Sequence, residues 1–354
     1  MQASLENKGN SQIKSSPKEN PQVTIVVVPR ERFSCTQESL ESIYQYTEFP
    51  FKLIYVDGNS PPKVRHYLEE QAQTRNFPII RTDYYLPPNH ARNIGLGYVD
   101  TKYLVFVDND VVVTPGWLKA LVTCAEETGA TVVGPLMCEK KPLHERVHFA
   151  GGESRVVTDI YGRRHLREKM YKQGKRVEDI KPQLQRTQTE LAEFHCVLVR
   201  TEIFERIGSL DEKMLCTKEH LDFCMTVAEA SGTVYFEPEC VVTYVPGPPL
   251  EWTDLHYYML RWSDAWTLKS LNHLLEKWNL TENSYFKSKY KKLGGRRRAT
   301  ILKPLSRRLS FGLENRLLNK VLNALDRVLN HYLTAHYAKN HLHLKEQAVT
   351  PLEP

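Results

Sequence analysis

Two aspartates, one residue apart, follow a run of five apolar residues in the first third of the chain. The segment from Tyr103 to Asp110 reads YLVFVDND, and a second apolar run, VVV, comes next. An apolar run bounded by polar residues predicts a strand that is buried on both faces. Two like carboxylates that lie close together need a cation between them, and oxygen ligands suit Mg²⁺ or Mn²⁺. We therefore expect Asp108 and Asp110 to hold a divalent cation with substrate phosphates, although a strand that ends in a polar turn would show the same residues.

A third aspartate, Asp57, ends an earlier strand. Residues 51–56 read FKLIYV, and Asp57 is followed by GNS. In open α/β sheets, ligands bind beyond the carboxyl ends of the strands. We therefore expect Asp57 and Asp108 to face one crevice. The alternative for Asp57 is an Asx turn, which this sequence also favours.

The elements that must position these acids alternate between strand and helix. This alternation predicts an α/β fold with a mostly parallel sheet, flanked by helices and joined by right-handed crossovers. A polar and basic insertion over residues 139–192 interrupts the pattern and is typical of a functional loop region. The predicted strands are 23–28, 51–56, 77–82, 103–107, 131–135, 194–200 and a last one ending at 244, and the predicted helices are 36–46, 62–75, 90–99, 118–128, 203–207 and 218–230.

Several short motifs occur in an order that resembles the family 2 glycosyltransferases, which have the Rossmann-like GT-A fold. The resemblance covers about residues 23 to 245, and it implies a nucleotide-sugar donor, a divalent cation and an inverting transfer to an acceptor hydroxyl. The motifs are VDGNS ending at Ser60, ARNIG starting at Ala91, the Asp-x-Asp at 108–110, PGWL starting at Pro115, GSLDE starting at Gly208 and KEHLDFC starting at Lys218.

The resemblance also implies roles for single residues in binding the donor and the cation. Asp57 would hydrogen-bond the nucleotide base, Asp108 would contact the ribose and the metal, and Asp110 would contact the metal. The remaining donor-binding candidates are Pro29, Arg92, Asn93 and Asn109.

Two acids in the first turn of the helix predicted over 218–230 are candidates for the general base. Inverting transfer needs a carboxylate that takes the proton of the attacking hydroxyl. Glu219 and Asp222 are three residues apart and therefore share a helix face. We favour Glu219 over Asp222, although a helix dipole favours acids at this position in any case.

The chain departs from the family pattern at two positions. His220 stands where the family often has Asp, and Tyr244 stands where it often has a metal-binding His. These departures favour a non-catalytic scaffold as one alternative. A nucleotidyltransferase is another, although the segment after Pro29 lacks the glycines of a phosphate loop.

The composition of the chain indicates its cellular compartment and its domain organisation. The chain has 354 residues, a net charge of +6 and seven cysteines without a Cys-x-x-Cys motif. Scattered cysteines in odd number favour reduced thiols. The sequence shows no secretory signal and no apolar stretch of about 18 residues that could span a membrane. We expect a cytoplasmic protein, and we interpret residues 1–21 as a disordered tail before a catalytic domain at 22–245.

Residues 246–354 are predicted to form a helical, basic extension. Ten basic residues and no acid lie between Lys287 and Arg308. Such a segment could contact an anionic membrane surface, so the protein could be peripheral at the inner face of the membrane; nucleic acid or solvent are alternatives. The helix predicted at 314–337 carries an apolar seam that could form a homodimer, pack on this chain or lie on a membrane. The donor base (UDP, GDP or dTDP) and the acceptor (glycan, lipid-linked or small molecule) stay open.

Overall fold

The computed structural model describes residues 21–246, 250–341 and 350–352. The tail predicted for residues 1–21 falls outside these ranges except for its last residue. All seven cysteines lie in the described ranges, and all of them are free thiols. None of the helices in the described part of the chain combines the length and the apolar character needed to cross a membrane.

A mixed sheet of eleven strands forms the centre of the described structure. Its main path runs in the order β10-β12-β6-β11-β4-β1-β2-β3-β13, while β5 pairs with β12 and β7 with β6. Strands β8 and β9 form a separate hairpin. The strands are β1 (Val23–Val28), β2 (Lys52–Gly58), β3 (Ile79–Thr82), β4 (Tyr103–Asp108), β5 (Val111–Val113), β6 (Val132–Glu139), β7 (Val147–Phe149), β8 (Gly152–Thr158), β9 (Arg164–Met170), β10 (Thr187–Thr189), β11 (Cys196–Arg200), β12 (Val234–Tyr244) and β13 (Thr350–Leu352).

Helices cover the sheet and continue into the C-terminal part of the chain. The segment from Arg298 to Leu302 is a π-helix that joins α11 to α12. The α-helices are α1 (Thr36–Tyr46), α2 (Pro62–Arg75), α3 (Pro88–Leu96), α4 (Trp117–Thr128), α5 (Val177–Ile180), α6 (Ile203–Ile207), α7 (Glu219–Glu229), α8 (Leu255–Arg261), α9 (Asp264–Lys277), α10 (Ser284–Lys291), α11 (Gly295–Arg297), α12 (Lys303–Leu309) and α13 (Arg316–His341).

The parallel strands β4, β1, β2 and β3 place the predicted acids at one edge. β1 pairs in parallel with both β4 and β2, and Val28 stands opposite Asp108. Val27 stands opposite Tyr55, so Asp57 lies two residues further along the next strand at the same edge. The apolar residues of β1 and β4 are buried on both faces, as their sequences predict. The mostly parallel α/β architecture with a helical C-terminal part is confirmed.

Two predicted elements differ in the structure. The insertion at 139–192 is not a plain loop, because it holds the β8–β9 hairpin and further short elements. The helical extension predicted from residue 246 is interrupted between Arg261 and Asp264. The Ser263 side chain accepts a hydrogen bond from the Trp266 backbone N–H at 3.2 Å and so caps a new helix. A side-chain cap of this kind competes with continued helix, and the apolar periodicity alone does not show it.

Candidate active site

Asp108 lies within a network of buried charges at the carboxyl end of β4. Its Oδ1 accepts a hydrogen bond from Arg92 Nη2 at 2.9 Å, and its Oδ2 lies 2.9 Å from His195 Nδ1. Arg30 Nε is 3.3 Å from the same Oδ2. Burial raises the pKa of Asp108, and Arg92 and Arg30 oppose that rise. The structure therefore brings two predicted donor residues, Asp108 and Arg92, into direct contact.

Asp110 is buried, with 0% of its surface exposed, and neither of its carboxylate oxygens has a hydrogen-bond partner among the described residues. Arg30 Nη1 lies 3.7 Å from Oδ2. Burial raises the pKa of Asp110 to about 7, against the lowering influence of Arg30. Because an unpartnered buried carboxylate is costly, these two oxygens are the strongest candidates in the crevice for binding a cation.

Asp108, Asp110 and His195 together could hold a metal ion. One candidate ligand atom from each residue lies within 4.8 Å of the others. Burial, followed by the charge of Arg30, lowers the pKa of His195 well below its ordinary value, so its imidazole is neutral and can act as a ligand. Carboxylates suit Mg²⁺ and Mn²⁺, and the added imidazole is compatible with Mn²⁺. The residues present therefore fit a divalent cation.

His195 supplies an imidazole in a site where the sequence offers Tyr244 in place of a histidine. The Tyr244 ring stacks on His195 with the centroids 4.1 Å apart and the planes at 6°. The guanidinium of Arg30 lies 4.8 Å from the centre of the Tyr244 ring. Tyr244 therefore covers one side of the metal-binding candidates.

A cavity of about 1030 Å³ lies next to Tyr244 and reaches the C-terminal helices. Cavities of this size hold ligands as large as a nucleotide sugar. Tyr244 lines the cavity and also stacks on His195, so its ring lies between the open space and that imidazole. The charged and imidazole side chains on the wall are Arg32, Glu38, Glu139, Lys140, Lys141, His148, Glu251 and Arg296.

Asp57 lies on the other side of β1, and its carboxylate has partners of its own. Oδ1 accepts a hydrogen bond from the Ser60 backbone N–H at 2.9 Å, and Oδ2 accepts one from Ser60 Oγ at 2.8 Å. Arg81 forms an ion pair with Oδ2. The alternative in which Asp57 holds the turn after β2 is therefore supported. Ser60 and Arg81 also line a second cavity of about 480 Å³, which has room for a nucleotide base beside Asp57, and that role stays a prediction.

Arg92 and Asn93, the next two donor candidates, occupy different surroundings on α3. Arg92 is buried, and its guanidinium lies 4.2 Å from the centre of the Phe194 ring, next to Asp108. The Asn93 side chain donates to the Leu210 carbonyl at 2.8 Å and accepts from the Leu210 N–H at 2.9 Å. Asn93 thus ties α3 to the segment before α7, while Arg92 belongs to the charge network.

Asn109 and Pro29 hold the segment that follows β1. Asn109 Oδ1 accepts from the Arg30 N–H at 3.2 Å, and its Nδ2 donates to the Arg32 carbonyl at 2.8 Å. The Pro29 carbonyl accepts a hydrogen bond from the Tyr257 hydroxyl at 3.3 Å. Both residues therefore shape the crevice through the backbone, and direct contact with a donor stays a prediction for each.

Glu219, the favoured general base, is the first residue of α7 and lies among buried charges. Its Oε1 is 3.3 Å from Arg261 Nη2, and its buried Oε2 has no hydrogen-bond partner among the described residues. Burial favours a higher pKa for Glu219, but Arg261, His220 and Arg92 outweigh it and the pKa is lowered. The carboxylate is therefore ionised at neutral pH, as a base must be.

Asp222, the second base candidate, faces the C-terminal helices. Its Oδ1 accepts from Trp278 Nε1 at 2.8 Å, and its Oδ2 pairs with Lys277 Nζ at 2.8 Å. Both oxygens are engaged with the end of α9 and the residue after it. The contacts of Asp222 are those of a docking residue, whereas Glu219 keeps one oxygen without a hydrogen bond.

A buried acid among histidines was not anticipated from the sequence. Glu193 Oε1 lies 3.5 Å from His220 Nε2, and Glu193 is also 3.9 Å from His148 Nε2. Burial favours a higher pKa for Glu193, but His220 and His195 outweigh it and the pKa is lowered. Glu193 and His195 are two residues apart, but His148 and His220 come from distant segments, so no spacing in the sequence marks the four as a group.

The family of the chain follows from a direct comparison. Residues 24–208 match the family model described as Glycosyl transferase family 2. The match covers more than half of the 354 residues, and the chain belongs to this family. No curated protein matches the chain significantly.

The solved structure of GalNAc-T7 shares the fold, and two structures of TarS also match the chain. The crystal structure of GalNAc-T7 with UDP, GalNAc and Mn²⁺ is 15% identical and matches over 78% of this chain and 56% of its own, with a TM-score of 0.50. TarS from S. aureus is 15% identical over 77% of this chain and 43% of its own, with a TM-score of 0.46. TarS 1–349 in complex with UDP is 13% identical over 90% and 92%, with a TM-score of 0.44. The chain thus spans little more than half of the GalNAc-T7 chain, and that likeness concerns the fold.

Proposed function

We propose that the chain transfers a sugar from a nucleoside-diphosphate sugar to an acceptor hydroxyl, with a divalent cation and with inversion at the anomeric carbon. Membership of the glycosyl transferase family supports the reaction type over a nucleotidyltransferase. One observation carries the proposal: Asp110 is buried with both carboxylate oxygens lacking hydrogen bonds among the described residues, within reach of Asp108 and His195. A bound divalent cation would give the two Asp110 oxygens the positively charged partner that they otherwise lack at hydrogen-bond distance.

In this proposal different residues of the crevice bind the cation, orient the phosphates and accept the proton. Asp108, Asp110 and His195 would hold the cation, which when bound neutralises charge on the leaving diphosphate. Arg32 and Arg296 on the cavity wall would orient phosphate oxygens through charge-assisted hydrogen bonds. Glu219 would accept the proton of the acceptor hydroxyl as its oxygen attacks the anomeric carbon and the bond to the diphosphate breaks.

The donor to test first is a UDP-sugar, and the acceptor is to be identified by experiment. UDP and Mn²⁺ are present in the GalNAc-T7 structure, which supports testing UDP-sugars with Mn²⁺ first, before GDP- and dTDP-sugars. The acceptor would be a glycan, a lipid-linked sugar or a small molecule. Mass spectrometry of a cell extract incubated with the enzyme and one donor at a time would identify it by the added sugar mass.

Isothermal titration with nucleotide sugars, with and without Mn²⁺, tests donor and cation binding. Wild-type protein should bind at least one donor more tightly with Mn²⁺, and Asp110→Asn should lose that enhancement. Asp100→Asn is the matched control, because Asp100 is an exposed aspartate paired with Lys52 at the surface. Binding that is indifferent to Mn²⁺, or equal in the Asp110→Asn and wild-type proteins, would contradict the proposal.

The base is tested by comparing Glu219→Gln with Asp222→Asn. Loss of a general base lowers kcat by about 10²–10⁴-fold, so Glu219→Gln should lose that much while donor binding is retained. Asp222→Asn should mainly lower thermal stability, since it weakens contacts with Lys277 and Trp278. A large kcat loss in Asp222→Asn alone, with unchanged stability, would assign the base to Asp222.

A second candidate function is a non-catalytic scaffold that retains the family fold. The observation that favours it is the enclosure of the acids, since Asp108 and Asp110 are buried behind Tyr244. Donor hydrolysis by wild-type protein that Glu219→Gln abolishes would exclude the scaffold. Absence of both hydrolysis and donor binding across UDP-, GDP- and dTDP-sugars would favour it.

A further inference from the structure

Helix α13 packs on the rest of the chain with a polar face and presents its apolar face outward. Asp326, Asn330 and Thr334 are the buried residues of the helix, and all three are polar. An ordinary amphipathic helix buries its apolar stripe, so this orientation is the reverse of the usual one. The exposed fractions lie between 48% and 73% for the outward apolar residues Leu317, Val321, Leu325, Val328, Leu329 and Tyr332.

Specific polar contacts fix this orientation. Asp326 Oδ2 is 2.9 Å from Nη2 of Arg297, a buried side chain on α11. Asn330 donates to the Met259 carbonyl at 2.9 Å and accepts from the Asp264 backbone N–H at 3.2 Å. Rotating the helix to bury its leucines would break the ion pair and leave charges unpaired in the interior, which is costly. The apolar face is therefore held outward.

The apolar surface continues across the turn between α12 and α13. Phe311, at the tip of this turn, is 98% exposed, and Leu309 and Leu313 beside it are 57% and 73% exposed. A groove of about 860 Å³ between α8, α12 and α13 has an almost wholly apolar lining that includes Leu305 and Leu325. Contiguous apolar surface of this extent on a folded chain marks an interaction site.

Positive charge surrounds the same surface. Residues 287–341 contain fourteen lysines and arginines and two acids, and one of the acids, Asp326, is paired with Arg297. The whole chain carries only +6, so the rest of the molecule is net acidic. Exposed basic residues that flank the apolar tip are Lys303, Arg307, Arg308, Arg316 and Lys320.

We infer that the partner of this surface is an anionic lipid bilayer. A second copy would bring two strongly basic faces together, and like charges oppose such a contact. Nucleic acid would use the charges but would leave the leucines and Phe311 exposed to water. Anionic headgroups and acyl chains satisfy both features: Phe311, Leu313 and the outward face of α13 enter the interface, and the arginines contact the headgroups.

The proposed surface shares only part of the basic segment predicted at Lys287–Arg308. Arg297 is buried against Asp326 and Asp264 and cannot reach a membrane. The membrane surface instead extends from Lys303 to Tyr332. This inference is independent of the transfer reaction, because none of its residues belongs to the candidate active site.

Flotation of the full-length protein with lipid vesicles tests the inference. Vesicles of phosphatidylcholine with phosphatidylglycerol should bind the protein, vesicles of phosphatidylcholine alone should bind it much less, and high salt should weaken the binding. Arg307→Glu/Arg308→Glu should reduce partitioning by at least about thirtyfold, since each lost basic residue near an anionic surface costs about fivefold and the new carboxylates are repelled as well. Phe311→Asn should reduce it about tenfold or more through lost apolar burial.

A charge-matched control is Lys63→Glu/Lys119→Glu, which changes two exposed lysines on α2 and α4 and should leave vesicle binding nearly unchanged. Circular dichroism melts that match wild type would show that each variant is folded. The inference is overturned if the protein ignores anionic vesicles, or if the control weakens binding as much as the Arg307/Arg308 variant. It is also overturned if light scattering shows a dimer that Phe311→Asn dissociates, or if nucleic acid displaces the vesicles.

Discussion

Charged side chains are buried both in the crevice at the strand ends and where α13 contacts the rest of the chain, a contact called here the seat of α13. The hydrogen bonding of these charges differs between the two places. In the seat of α13, Asp326 accepts hydrogen bonds from Arg297 with both oxygens. In the crevice, both oxygens of Asp110 and one oxygen of Glu219 are buried without hydrogen bonds among the described residues. A buried carboxylate whose hydrogen bonds are all made is a structural contact, whereas one with oxygens that lack hydrogen bonds costs stability and is a candidate for function. The contrast separates docking residues from candidate functional ones.

The largest change in stability is expected at Asp326, which is paired with Arg297 in the seat of α13. Asp326→Ala leaves Arg297 with one acidic partner fewer in the interior, and breaking a buried ion pair costs about 3–5 kcal/mol. Urea unfolding should show a fall of this size in the free energy of unfolding. Arg297→Met/Asp326→Leu, which removes both charges, should regain most of it. A loss below about 1 kcal/mol for Asp326→Ala would show that the pair does not hold α13 in place.

Asp110→Asn should lower activity strongly without lowering stability, in contrast to Asp326→Ala. Removing a preorganised charge-stabilising element lowers kcat by about 10²–10³-fold, so transfer should fall by that amount. The metal-free protein should unfold at the same or a higher temperature than wild type, because a buried carboxylate that lacks hydrogen bonds is replaced by a neutral amide. Destabilisation as large as that of Asp326→Ala would place Asp110 among the structural residues.

Arg261→Met tests how the crevice tunes its base. Arg261 is the charge that most lowers the pKa of Glu219 against the effect of burial, so its removal should raise that pKa. The acidic limb of the kcat/KM profile should therefore move upward by about one pH unit, a tenfold loss on that limb. The Glu219→Gln protein provides the control, since its residual rate should lack this limb. An unmoved limb with reduced stability would leave Arg261 with a purely structural role.

The smallest effect is expected at Lys289, a partly buried lysine on α10 that lies 3.8 Å from Glu168. Burial and the nearby charge of Lys218 lower the pKa of Lys289 from 10.5 to about 8, although Glu168 opposes the shift. Between these two values the unfolded chain binds more protons than the folded one, so stability gains a contribution as pH rises from about 8 to 10.5. Lys289→Met should remove this shallow rise, as measured by urea midpoints along the pH series. An identical slope in both proteins would contradict the lowered pKa.

The sequence predicted the parts of the molecule that depend on local pattern. The alternation of strands and helices, the buried strand before Asp108 and the shared edge of Asp57 and Asp108 all follow from apolar runs and parallel topology. The family resemblance based on short motifs is confirmed by the family match. These features are encoded within a few residues of one another, which is why spacing alone reveals them.

Contacts between distant segments could not be predicted. Arg30 and Arg81 meet the candidate acids only after folding, and nothing in their neighbouring residues marks them as partners. The apolar seam of α13 was visible in the sequence, but not the direction it faces. That direction depends on Asp326 and Asn330 finding partners on other helices.

Arg261 has a practical consequence for dissecting the molecule. Its guanidinium, carried by α8, donates to the carbonyls of Arg30 and Cys216 and contacts Glu219. A chimera joined directly after β12 would lose these contacts while keeping every motif, and a fragment trimmed to residues 24–208 would lose Glu219 as well. Such a truncation should misplace the loop after β1, so expression plans and module swaps need to carry the polypeptide through at least residue 261.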